Sequence, residues 1–274
     1  MTDDKPASDS TPSITRLKDC RNGKMLYLHR DEYVGRSLDV YGEFSEGEAD
    51  LFRKLVHRND IVIEVGANIG AHTVLMAQQA GPKGLVLAFE PQRILYHILC
   101  ANIALNNLFN VHTYLAAVGK ETGVLKVPPI DYSVEANFGG LPLGDGDITS
   151  GELVPLTPLD SIDVPYLRLI KVDVEGMEAD VLEGARNLIA RHRPFLYVEN
   201  DRREKSGALI TLIDSLGYDM WWHLPPMFNP DNFAHNSENI FVNIVSTNLL
   251  CTPKELSADI KDLRKVSGPT DYCR

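Results

Sequence analysis

Basic charge is scarce in this chain, long apolar runs are missing and cysteine is rare, and each absence removes a class of protein. Lys and Arg number 27 against 38 Asp and Glu, a net charge of -11. That balance argues against a protein that coats nucleic acid or anionic membrane, though it leaves room for a small basic pocket. The longest apolar runs are strand-sized, well short of the roughly 20 residues that a membrane-spanning helix needs. Cys20, Cys100, Cys251 and Cys273 lie far apart without a CxxC pair. Zinc-knuckle and disulfide scaffolds are therefore disfavoured, and a reducing compartment is the default. The opening MTDDKPASDSTPS has no apolar core and does not read as a signal peptide. The expectation is a cytoplasmic protein with no membrane insertion and no nucleic-acid partner.

The 274 residues suffice for one full-sized core. Residues 1–14, rich in Asp, Ser, Thr and Pro, are expected to be a disordered tail. Residues 15–59 form an extension packed on the core, with a strand in KMLYLHR. A helix follows in FSEGEADLFRKLVHRND, with Ser45 and Glu48 spaced as a capping box. Residues 60–253 carry the main domain and residues 254–274 a C-terminal tail. Within that domain strands alternate with helices, which predicts an α/β fold with a mostly parallel sheet. The last strands are expected in YDMWW and NIFVNIVS. Residues 124–158, rich in Pro and Gly, read as a long connection with short strands at most, a kind of loop more often functional than idle.

The stretch IVIEVGANIG, from Ile61, places a carboxylate between β-branched residues and ahead of two glycines. Ile61, Val62, Ile63 and Val65 suit a buried strand. Gly66 and Gly70 permit a tight turn and a close backbone approach to a ligand. Glu64 needs a positive or hydrogen-bonding partner that the strand itself lacks. Glu90 ends the next strand, 20 residues after Gly70, the spacing at which an acidic residue meets an adenosine ribose. A dinucleotide fingerprint would put its first glycine where Glu64 stands, and a carboxylate there repels a pyrophosphate. An adenosine ligand with a cationic tail and no phosphate fits better, and S-adenosylmethionine is such a ligand.

IEVGANIGAHTVLMAQ, VLAFEP, NIALNNLFNV, AAVG and IKVDVEGMEADVLEGA together resemble the FkbM family of S-adenosylmethionine-dependent methyltransferases over residues 41–253. The resemblance implies a class I Rossmann-like fold of seven strands, helices on both faces and the last strand antiparallel. It also implies O-methylation of a sugar, glycan or secondary-metabolite hydroxyl. Glu64 stands where such enzymes often carry Asp. By position, Glu64, Gly66, Asn68 and Gly70 would form the donor loop, Glu90 would hold the ribose and Ala117 would lie near the adenine.

Lys171, Asp173, Glu175 and Glu178 crowd the end of a later strand. Residues 171, 173 and 175 alternate and would project to one side while the chain stays extended. Asp173 is the preferred general base, with Lys171, Glu175 and His72 as further catalytic candidates. An ion pair between Lys171 and Glu175 that merely supports the Gly176 turn is the plainer account. Glu178, His223 and Asn137 are assigned to acceptor binding. Asp173, Glu199 and Asn200 offer hard oxygen ligands of the kind magnesium takes; alternatively, Glu199 and Asn200 cap a helix or hold the acceptor. A small-molecule or sugar acceptor is the expected partner, and a homo-oligomer stays open. So do an NAD-dependent oxidoreductase and a non-catalytic module that binds donor or glycan.

Overall fold

The computed structural model describes residues 13–141 and 150–273, so the expected tail falls outside the described residues over positions 1–12. Ile14 is tied down, its carbonyl accepting the amide of His29. A hairpin of β1 (Thr15–Cys20) and β2 (Gly23–Leu28) leads into helices α1 (Val34–Tyr41) and α2 (Glu46–Leu55). The alternating region then runs β3 (Ile61–Val65), α3 (Ala71–Ala80), β4 (Leu85–Phe89), α4 (Arg93–Leu105) and β5 (Val111–Tyr114). Three strands follow outside the main sheet: β6 (Ala117–Val118), β7 (Gly123–Val127) and β8 (Glu152–Thr157). The chain returns with β9 (Leu169–Val172), α5 (Glu178–Glu183), α6 (Arg186–His192), β10 (Phe195–Glu199) and α7 (Arg203–Ser215). It closes with β11 (Tyr218–His223), β12 (Asn248–Pro253) and β13 (Arg264–Lys265).

The main sheet has the order β13-β11-β12-β10-β9-β3-β4-β5. Neighbours from β5 to β10 are parallel, and β12 runs antiparallel to both β10 and β11. This is the expected seven-stranded α/β sheet with its last strand reversed, extended at one edge by the two-residue β13. Strand alternation sorts the core into two layers. Ile63, Val65, Leu87 and Phe89 pack with α5, α6 and α7, whereas Val62, Val86 and Leu169 pack with α2 and α3. No helix among the described residues is long and apolar enough to cross a membrane.

Several local expectations need correction. The final strand is not NIFVNIVS but β12, whose six residues are all buried between two neighbours, while Val242 is 64% exposed. The apolar stretch VHTYLAAVG, residues 111–119, does not form one strand, because Ala117 and Val118 leave the main sheet to pair with β8. The helical stretch EADVLEGARNLIARH, residues 178–192, is two helices that part at Gly184, where a Cβ would lie 2.0 Å from the Gly119 carbonyl oxygen. Ser45 does not cap α2 through its side chain; at φ 42° its hydroxyl donates to Glu48 Oε1 at 2.9 Å instead.

Gly66 fixes the turn that positions the site, for a different reason than ligand approach. At φ 79° a Cβ there would fall 1.7 Å from the Asp173 carbonyl oxygen, so the close approach is to the chain's own backbone. Gly70, at φ 86°, lies against Leu99 and opens α3. Gly66→Ala is expected to cost more than about 3 kcal/mol, because left-handed strain adds to a backbone clash. That corresponds to a loss of roughly 6–12 °C in Tm. A melting curve within 2 °C (roughly the effect of less than 1 kcal/mol) would contradict the account.

Candidate active site

A cavity of about 600 Å³ opens beyond the carboxyl ends of β3, β4, β9 and β10. Open parallel sheets bind ligands there, and the volume suits a small-molecule ligand. Of the residues singled out from the sequence, Glu64, Gly66, Asn68, His72, Glu90, Ala117, Lys171, Asp173, Glu175 and Glu199 line it, as does Asn137.

The β3–α3 turn forms one wall. The amides of Gly66 and Ala67 donate to the Phe89 carbonyl, that of Asn68 to Glu90 Oε2, that of Ile69 to Asn68 Oδ1 and that of Gly70 to the Ala67 carbonyl. Every N–H of the turn is thus used internally. None of these five is free to cradle a pyrophosphate, which removes the usual basis of dinucleotide binding from this turn. Glu90, 4% exposed, accepts the Asn68 amide at 2.8 Å and the Gln92 amide at 2.9 Å. Each carboxylate oxygen keeps a lone pair for a further donor. Gln92 in turn donates to the Phe138 carbonyl, and Gly139 lies against Asn68, so residues 137–141 of the long connection cover this wall. Asn137 itself holds that loop, accepting the Gly140 amide at 2.9 Å.

The opposite side is organised by Lys171. It pairs in register with Glu64 across β9 and β3, and its ammonium lies 3.9 Å from Glu64 Oε1 and 3.0 Å from Asp173 Oδ2. Glu64 also accepts the Thr73 hydroxyl, which supplies the partner its buried strand lacks. The carboxylates around Lys171 raise its pKa against the opposing effect of burial, so it is a fixed cation rather than a base. Asp173 is 39% exposed at its side chain and therefore reachable from the cavity.

Past Asp173, whose amide still continues the ladder to the Val65 carbonyl, the expected alternation fails. Glu175 has φ 56° and pairs with Arg202, not Lys171. Asp173, Glu175 and Glu199 still bring one carboxylate oxygen each within 4.8 Å of one another, and Glu199 Oε2 is buried without a partner. Asn200 is not in this cluster, because its side-chain amide donates to Ser206 at 3.0 Å. Glu178 is likewise diverted, accepting the Gly176 amide at 2.8 Å from the first turn of α5. His223 lies outside the cavity lining with Nδ1 2.8 Å from the Tyr197 hydroxyl.

His72 is no helix-surface residue. It is 5% exposed, packs edge-on to Phe52, and leaves Nε2 without a partner. Burial, reinforced by Lys171, pushes its pKa down to about 3, so it is neutral. Glu48, which the sequence reading used only as a capping residue, lines the same cavity with Oε2 4.0 Å from His72 Nδ1. Its S-x-x-E spacing drew attention to the helix start and hid that the side chain faces inward.

The sequence model of the methyltransferase FkbM domain matches residues 64–220. Hexuronic acid methyltransferase AglP of Haloferax volcanii is 28% identical over 148 residues, covering 52% of this chain and 58% of that protein. A tRNA(Phe) (4-demethylwyosine(37)-C(7)) aminocarboxypropyltransferase of Methanocaldococcus jannaschii is 43% identical over 103 residues, covering 34% of this chain and 41% of that one. A crystal structure of methyltransferase FkbM from Methylobacillus flagellatus superposes with a TM-score of 0.47 at 17% identity, over 74% of this chain and 50% of that chain. Matched stretches span 41–66% of the lengths of the curated relatives. Because one relative is named for tRNA, similarity alone does not exclude RNA, and that expectation rests on charge.

Burial raises Glu64, Glu90 and Glu175 from 4.5 to about 7. Between those values the folded protein binds more protons than the unfolded chain. Whatever stability these groups contribute is therefore full below pH 4.5 and lost as pH rises through 7. Glutamate δ-carboxyl ¹³C spectra should show three resonances with midpoints near 7, and Glu90→Gln should remove one and flatten the fall of Tm above pH 5. Midpoints near 4.5 for every glutamate would contradict this assignment.

Proposed function

The chain belongs to the methyltransferase FkbM domain family of S-adenosylmethionine-dependent enzymes, and from that premise we propose that it methylates a hydroxyl of a sugar, glycan or secondary metabolite. The observation that carries the reading is the pair of buried carboxylates, Glu64 and Glu90, at successive strand ends around a turn whose amides are all occupied. Such a wall favours an adenosine with a cationic tail over a phosphate-bearing ligand. Glu90 takes the ribose hydroxyls, with Asn68 and Ala117 beside it, and the sulfonium points toward Lys171 and Asp173. The name of the Haloferax relative, a hexuronic acid methyltransferase, supports a sugar ring as the acceptor scaffold, while the charge this chain's acceptor carries is a separate matter set by its own cavity lining.

In the transfer, the acceptor oxygen attacks the methyl carbon in line with the departing sulfur, so alignment carries much of the rate. The C–S bond breaks as the C–O bond forms, and the hydroxyl proton passes to the Asp173 carboxylate. Lys171 holds Asp173 in place through their 3.0 Å contact. A second reading, favoured by the Asp173–Glu175–Glu199 cluster, places a divalent cation there to bind the acceptor oxygen. The three carboxylates and the unpartnered Glu199 oxygen fit such an ion.

Titration calorimetry should give micromolar binding of S-adenosylmethionine, weakened at least tenfold by Glu90→Ala. Affinity should rise about tenfold from pH 6 to pH 8 for each linked carboxylate, since a cation favours the ionised form. Asp173→Asn should keep donor affinity within threefold while losing about 100-fold or more in turnover. EDTA arrest with magnesium rescue would select the cation route. Binding of NADH in place of S-adenosylmethionine would overturn the proposal, and donor binding without turnover on a broad acceptor panel would favour a non-catalytic module.

A further inference from the structure

Building on the methyl-transfer reading, we infer that the acceptor carries no anionic group, and that Glu48 is a specificity-determining residue that rejects acceptors bearing a carboxylate or phosphate. Seven carboxylates and two cations line the cavity among the described residues. Glu48, Glu64 and Glu90 lie buried, each 5% exposed or less. Asp173, Glu175, Glu199 and Asp201 stand where β9 and β10 end.

Both cations are already engaged. Lys171 lies between Asp173 and Glu64, and Arg202 is bound to Glu175 and lies 3.4 Å from Asp201. An anionic acceptor would therefore face a lining with more carboxyl groups than cations, both cations being ion-paired already, although Arg202 keeps a buried Nε with no hydrogen-bond partner. A cationic donor reduces that surplus only in part. A neutral polyol instead donates its hydroxyls to these carboxylates.

Glu48 is placed to read the acceptor rather than the donor. It comes from α2, outside the matched residues 64–220. It lies 3.5 Å from the Asn248 side-chain amide on β12, whereas Glu90 follows β4, four positions away in the sheet. Residues 243–248 complete that side of the cavity and also lie outside the matched segment. This side of the cavity is thus completed by segments outside the matched residues 64–220.

The test measures binding of neutral methyl glycosides and their matching uronates to protein saturated with S-adenosylhomocysteine, once in EDTA and once in magnesium. The expected result is at least tenfold tighter binding of the neutral member in both buffers, narrowed threefold or more by Glu48→Gln. A uronate bound equally or more tightly in either buffer, or no discrimination because neither member binds, overturns the inference. An unchanged ratio in Glu48→Gln overturns the role of that residue. Failure of S-adenosylhomocysteine to bind at the outset is a separate result and counts against the methyl-transfer reading itself.

Discussion

The ammonium of Lys171 is the charge on which the crevice depends. It is 3% exposed, stands in register beside Glu64 on the adjoining parallel strand, and reaches Asp173 at 3.0 Å. Its field also lowers the pKa values of Glu48, Glu64 and Glu90, each otherwise raised by burial. Without it a cluster of carboxylates would share a low-dielectric space, and uncompensated buried charge is strongly destabilising. A second constraint follows from the same corner, because Asp173 can lie beside Lys171 only if its carbonyl passes over Gly66. The Gly66 turn and the end of β9 are therefore one packed unit.

Lys171 does not balance the site, and the imbalance gives the cavity its chemical preference. Several glutamates are held near neutrality because burial and mutual repulsion oppose their ionisation. Such groups respond to whatever cation arrives. On the proposed function, a sulfonium–ammonium donor would supply positive charge where it is lacking and draw protons off the lining, so that donor binding and protonation of the site would be one equilibrium.

Much of this was legible in the sequence. Alternation of apolar strands with helices gave the sheet, and acidic residues at strand ends marked the cavity through Glu64, Glu90, Asp173 and Glu199. Local spacing misled wherever a tertiary contact took over. Glu175 left the Lys171 face because the chain turns to positive φ at Glu175 itself, and Glu178 and Asn200 were drawn into backbone and side-chain partners. The inward aim of Glu48 depends on α2 packing against α3 and β12, which no local pattern encodes. The glycines were recognised as turn formers, but what Gly66 approaches is an oxygen more than 100 residues away in the chain.

The central claim is that the carboxylate of Glu90 and the occupied Gly66–Gly70 turn form a seat for a phosphate-free adenosine. A crystal structure with S-adenosylhomocysteine bound tests it most directly. The account predicts both ribose hydroxyls on Glu90, the adenine beside Ala117 and the sulfur facing Asp173. A nucleoside seated elsewhere in the cavity, with Glu90 contacting only the amides of Asn68 and Gln92, would contradict it.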